Sequence, residues 1–436
     1  MKDYKFLIGS GCSYGKVANS LHHWKEHLNI DEDTIIIDLQ KDSQSANYSA
    51  DSIIYTCNTL IENGVDVNNI FVINEWTTYD RVHYTFPAGV VDVFDKEIRI
   101  ENNIEVYNSK PDIVDKVKSL LNIYQYFDKN DDKYQIQKIE DLFYINPGHI
   151  DVQDYRDTSV YEWMVMYQKH SEGITNENLV INYLNNILKL QYYLKSKNID
   201  YNFHFINSQF SGWKLNSFGN IFHHHIDKFM LTNDKLIDNR KYHDEYVKSL
   251  NSFSDIQNIF PGVKTKFNEI DFSKFWLYNK NGYRYGGVDE WTFDNFNGFG
   301  YTHSLLSYTP GDSWKYYLET YGNHPNHVVY FLISQELLRD CSFINFKPNV
   351  NEKLMSQVNF ELETRTGELV SYDYENELFN SKEDIENVLG IKLVSSKETI
   401  LPTDMRYDKN AKEIPITDNE KNVEQKILIN FKKKLL

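Results

Sequence analysis

Near the start of the chain, Gly9-Ser10-Gly11-Cys12-Ser13-Tyr14-Gly15 follows a short apolar run and sets a serine among small residues. A serine on a tight turn between a parallel strand and a helix stands where an activated nucleophile belongs. Small neighbours let the backbone turn sharply and leave amide hydrogens free to meet a developing oxyanion. The same residues also suit an ordinary strand-to-helix turn or a phosphate-cradling loop, so this segment alone leaves those readings open. It is not a dinucleotide fingerprint, because Tyr14 stands where the helix-packing glycine belongs. At the far end, Gly322-Asn323-His324-Pro325-Asn326-His327 precedes the last strong helical pattern. A serine nucleophile needs a base within hydrogen-bond reach, and a histidine held at a helix start by a following proline is a fixed one.

The elements that must bring Ser13 and His324 together read as alternating strands and helices. Tyr4 to Ile8, Thr34 to Leu39 and Ile70 to Ile73 are apolar runs that predict strands. Asp51 to Asn63 carries apolar residues at helical spacing, with Asp51 as its expected N-cap. Asn176 to Lys197 places Leu179, Tyr183, Ile187, Leu190 and Leu194 on one face of a long helix, and Tyr201 to Ile206 follows as a strand. Asn326 to Asp340 is a helix opened by Pro325. Such alternation predicts an α/β fold with a parallel sheet, in which residues after the first strand and before the last helix meet at the carboxyl ends of the strands.

The chain of 436 residues carries a net charge of −17, which repels phosphate backbones and argues against a nucleic-acid partner. Its 15% aromatic content excludes a disordered polymer. Cys12, Cys57 and Cys341 lack the spacing of a metal site and are too few for a disulfide scaffold, so a reducing, cytoplasmic setting is expected. The N-terminus reads as a first strand rather than a signal peptide, and no run approaches the ~18 apolar residues of a membrane helix. No membrane partner is expected. Two aromatic, polar stretches at about 82–170 and 210–310 read as insertions into a unit spanning 1–340. Residues 341–436, with alternating runs at Val358 to Leu362 and Leu369 to Tyr372, read as a β-rich C-terminal α+β appendage and tail.

The Gly11-Cys12-Ser13 and His324-Pro325 segments resemble the SGNH (GDSL-like) hydrolase family, especially divergent forms like those of bacteriophage and other viral genomes. The resemblance implies a three-layer α/β fold with a flavodoxin-like parallel sheet, Ser13 as nucleophile and His324 as base. It implies Asn74, in Val72-Ile73-Asn74-Glu75-Trp76-Thr77, as an oxyanion donor, with Thr77 as a substitute. The Ser13 amide would be a second donor, and Asn47 stands nearest to the family's oxyanion glycine, which this chain lacks. Trp76-Thr77 followed by Arg81 matches the divergent forms, where Arg81 would position an anionic part of the substrate or brace its loop. Tyr321 occupies the family's acid position, leaving Asp312 and Glu319 as candidates for acid or support. The implied activity is that of a serine esterase or deacylase acting on an O-acyl group of a carbohydrate or cell-envelope polymer, with no metal or organic cofactor. The alternative is a structural or glycan-binding component of a virion or other assembly in which the hydrolase fold survives, with self-assembly partners and a host-cytoplasm or virion location.

Other residues are less telling. His223, His224 and His225 are consecutive and point in different directions, which disfavours a shared metal. His22, His23 and His327 read as surface positions, with His327, one helical turn after His324, as an alternative partner for that side chain. Trp276, Trp291 and Trp314 suit either sugar stacking or packing. Lys432 to Lys434 read as a solvated tail.

Overall fold

A computed structural model describes residues 1–11, 28–39, 44–79, 84–87, 98–101, 105–121, 124–128, 131–139, 142–145, 165, 176–210, 256–280, 283–296 and 327–346. Strand β1 (Lys5–Ser10), the short β2 (Leu28–Asn29), β3 (Thr34–Asp38) and helix α1 (Ala46–Glu62) lead into β4 (Ile70–Trp76). β1, β3 and β4 are apolar on both faces, the pattern of strands covered on each side by helices. Strands β5 (Tyr84–Pro87) and β6 (Ile98–Glu101) come next, then β7 (Glu105–Tyr107) and α2 (Pro111–Leu121). Strands β8 (Tyr124–Asp128), β9 (Asp131–Ile139) and β10 (Leu142–Ile145) precede α3 (Asn176–Lys197) and β11 (Asp200–Phe205). Two short helices, α4 (Ile256–Ile259) and α5 (Lys264–Glu269), precede β12 (Phe275–Trp276), and α6 (Val288–Phe296), α7 (His327–Leu337) and β13 (Asn345–Phe346) follow.

The central sheet has the order β12-β11-β4-β1-β3-β7, with β7 its one antiparallel member. Counted along the chain, its parallel strands run in the spatial order 2-1-3-4-5. The path leaves β1 for β3 on one side and crosses back to β4 on the other, so the order reverses between the carboxyl ends of β1 and β4. That reversal opens the crevice where α/β sheets bind ligands.

Alternation along the strands divides the core in two. Phe6, Ile8, Ile35, Ile37 and Val72 pack with Ile53, Leu60, Leu184 and Ile187 of α1 and α3. Leu7, Ile36, Phe71 and Ile73 face the other way, onto Tyr330, Phe331, Ile333 and Leu337 of α7. Each such aliphatic side chain contributes roughly 1.5–3 kcal/mol by leaving water. Leu179, Tyr183, Ile187, Leu190 and Leu194 of α3 are all buried, as their spacing predicts.

Helix α1 departs from the expectation that Asp51 caps it. It begins at Ala46 with Ser45 as N-cap, because Ala46, Tyr48, Ser49 and Ala50 are all buried and extend the helix over the carboxyl edge of the sheet. Asp51 lies inside the helix and pairs with Lys189 of α3. Within the polar stretch after residue 82, β5, β10, β9, β8 and β6 form a separate antiparallel sheet, while β7 joins the central one. Likewise β12, inside the aromatic stretch after residue 210, is the fifth parallel strand. A two-stranded ladder pairs β13 with β2.

Candidate functional site

The carboxyl ends of β1 and β4 carry a closed set of neutral hydrogen bonds on the α1 side. Ser10 ends β1 in register with Asn74 of β4. Gln44 clamps the chain there, its Nε2 donating to Ser10 Oγ at 2.8 Å while its Oε1 accepts the Gly11 amide at 3.2 Å. Ser49 on α1 donates to Asn74 Oδ1 at 3.1 Å and lies 3.2 Å from Ser10 Oγ. A hydroxyl has one hydrogen. With the Ser49 hydrogen spent on Asn74, Ser10 is the donor in the Ser10–Ser49 bond. The Ser10 hydrogen is therefore committed to Ser49, and the side chain is held as scaffold. Thr77 donates to the Gln44 carbonyl at 2.8 Å, which fastens the end of β4 to the start of α1 and commits the Thr77 hydrogen to that bond.

Asn74 is fully buried, and with its Oδ1 engaged its Nδ2 has no hydrogen-bond partner among the described residues. Leaving such a donor unpaired costs about 1–3 kcal/mol, so the site holds an N–H ready for an acceptor. Trp76, two residues on and on the same face, packs edge-on against Phe203 at 5.5 Å and Tyr183 at 6.3 Å, which fixes this end of β4. The Tyr183 hydroxyl is held well above its ordinary pKa, first by burial and then by the charge of Glu75.

On the opposite face the edge carries ionisable side chains. Glu75, His204 of β11 and Tyr330 of α7 are all fully buried. Tyr330 donates its hydroxyl hydrogen to Glu75 Oε2 at 3.0 Å, and His204 Nε2 lies 3.4 Å from the same oxygen. Glu75 and His204 are register partners on neighbouring strands. Gly11 sits directly above Glu75 with φ +143, and a Cβ on Gly11 would stand 2.5 Å from Glu75 Cβ.

A third cluster closes the edge beyond β11. Glu290, in the first turn of α6, accepts the Ser208 amide at 2.8 Å and the Gly287 amide at 2.7 Å. Asn207 Nδ2 donates to Asp289 at 3.3 Å, and Gln209 bridges Asn207 to the Tyr79 amide. Gly287 is required for close approach, since a Cβ there would stand 2.2 Å from the Phe205 carbonyl oxygen.

Of the residues predicted from sequence, Asn74 and Thr77 come together at the end of β4. Asn47 lies half-buried in the first turn of α1, its Oδ1 accepting from Ser45 Oγ at 2.5 Å. Ser13, Arg81, Asp312, Glu319 and His324 lie outside the described residues, as do Cys12, Trp314 and the histidines at 22–23 and 223–225. Gly11 stands two residues before Ser13, and α7 begins three residues after His324. Trp276 and Trp291 pack edge-on at 6.0 Å against the second core cluster. Cys57 and Cys341 are buried; burial pushes the Cys57 thiol far up and the Cys341 thiol up to about 11, so neither supplies a thiolate. Among the described residues no group of His, Cys, Asp and Glu is arranged to hold a metal ion, and no helix is long and apolar enough to cross a membrane.

Glu75, His204, Gln44 and Ser49 were not singled out by sequence reasoning. The available signal for the first two was a charged or titratable residue inside an apolar strand, in IFVINEW and DYNFHF. The chain matches no protein-family model, no curated protein and no solved structure.

Proposed function

We propose that the protein is a serine esterase or deacylase of SGNH type, acting on an O-acyl ester of a carbohydrate or cell-envelope polymer. The observation that carries the reading is Asn74. Its carbonyl end is fixed by Ser49, and its amide N–H is left unpaired at the switch point, in register with the strand that leads into Ser13. The 2-1-3-4-5 order of the parallel strands supports the flavodoxin-like form of the fold that the resemblance implies.

In this reading Ser13 attacks the acyl carbon while His324 takes the serine proton and passes it to the leaving alcohol. Water, deprotonated by His324, then releases the acid and restores Ser13. The oxyanion of each tetrahedral intermediate receives hydrogen bonds from Asn74 Nδ2 and the Ser13 amide, with Asn47 as a third donor in place of the absent glycine. Asp312 or Glu319 orients the imidazole, and Arg81 braces its loop or receives an anionic part of the substrate. Ser10 is excluded as nucleophile by its closed hydrogen bonds. The chemistry calls on neither a metal nor an organic cofactor.

The test is hydrolysis of an acetyl ester by wild type, Ser13→Ala and His324→Ala with folding verified. Loss of kcat by at least ~10³ in both variants is expected, since dyad members act as a unit. Equal rates in all three would falsify the reading and favour the non-catalytic assembly component.

A further inference from the structure

Helix α7 follows the His324-Pro325 segment, and its contact with the sheet is mostly apolar. Phe331, Ile333 and Leu337 pack over Leu7, Ile36, Phe71 and Ile73. Apolar burial is non-directional, so it holds the helix down without fixing its slide or rotation. Among the described residues, two directional contacts do that. Near the first turn Tyr330 donates to Glu75 at 3.0 Å, and at the far end the Leu337 carbonyl accepts from Asn202 Nδ2 of β11 at 2.6 Å. The two pins are seven residues apart, roughly 10 Å along the helix axis.

The pin at Glu75 also touches the other catalytic segment. A Cβ on Gly11 would lie 2.5 Å from Glu75 Cβ, 3.1 Å from its carbonyl oxygen and 3.2 Å from its Cα, so the Gly11 backbone rests directly on Glu75. Gln44 holds the Gly11 amide from the opposite side, which prevents this segment from lifting away. His204 faces the carboxylate from the next strand at 3.4 Å.

We propose that Glu75 is a positioning residue that couples the backbone leading into Ser13 to the helix following His324, through Gly11 above it, the Tyr330 hydroxyl beside it and the His204 imidazole behind it. The coupling itself is a property of the fold. Its catalytic consequence, that Glu75 sets the distance between nucleophile and base, rests on the hydrolase reading.

The test is backbone hydrogen exchange on the full chain, read in peptides covering 5–11 and 327–337, for wild type, Tyr330→Phe, Glu75→Gln and Glu75→Leu. Tyr330→Phe keeps the ring and removes only the hydroxyl, so the fold is retained. The expected result is exchange at least tenfold faster in both segments for Tyr330→Phe and Glu75→Leu, and a smaller change for Glu75→Gln, whose amide oxygen still accepts from Tyr330. Faster exchange in 327–337 with 5–11 unchanged would overturn the proposal. Ester kinetics on the same proteins separate the two claims. A tenfold fall of kcat at constant KM in Tyr330→Phe is the catalytic signature, whereas exchange coupling in a protein without esterase activity retains the clamp and discards the hydrolase reading.

Discussion

The two faces of the central sheet meet its carboxyl edge with different chemistry. On the α1 face Gln44, Ser10, Ser49 and Thr77 exchange neutral hydrogen bonds and leave the Asn74 amide with a donor to spare. On the α7 face the Tyr330 phenol donates to one oxygen of the Glu75 carboxyl, with the His204 imidazole 3.4 Å from the same oxygen. The physical difference is the cost of incompleteness. A neutral donor left unpaired costs about 1–3 kcal/mol, a cost this fold bears at Trp76 Nε1 and the Tyr183 hydroxyl as well as at Asn74 Nδ2. A buried charge left unpaired costs far more. The α1 face holds a donor in waiting for a substrate, and the opposite face fixes Glu75 through the Tyr330 hydroxyl.

Breaking the α7 face should give the largest effect. His204→Ala removes a fully buried side chain beside Glu75 and is expected to lower unfolding stability by about 2–5 kcal/mol, chiefly through the cavity it leaves, measured by urea denaturation. A loss below about 1 kcal/mol would show that the two faces do not differ as described. On the neutral face the loss should fall on rate. Asn74→Ala is expected to lower kcat for an acetyl ester by about 10²–10³ at little cost in stability. A rise in KM at constant kcat would instead place Asn74 in ground-state binding. Smallest is Ser49→Ala, which removes a hydrogen bond worth about 1 kcal/mol and should reduce kcat roughly fivefold through a less fixed Asn74.

Much of the sheet was legible in the sequence because its strands are apolar on both faces and its helices have clear periodicity. β1, β3, β4, β11, α3 and α7 all fall where the pattern places them. The start of α1 was not, because Ala46-Asn47-Tyr48-Ser49-Ala50 shows no helical apolar period and its burial emerges only in the fold. β12 is two residues long, too short for a period to show, and β7 belongs to the sheet only through its pairing with β3. Of the candidate site, Asn74 was named through the family resemblance, as the asparagine after the third strand. The partners that give Asn74 its orientation were not, since Ser49 is 25 residues away in sequence and Gln44 lies in a polar loop. Glu75, His204 and Tyr330 meet across 255 residues of chain, a juxtaposition that only the strand order reveals.

The most direct measurement of the central claim is labelling of the native protein with a fluorophosphonate, followed by peptide mapping. The account predicts modification at Ser13, none at Ser10 or Ser49, and loss of labelling in His324→Ala. No modification of the folded wild-type protein, or modification at Ser10, would contradict it.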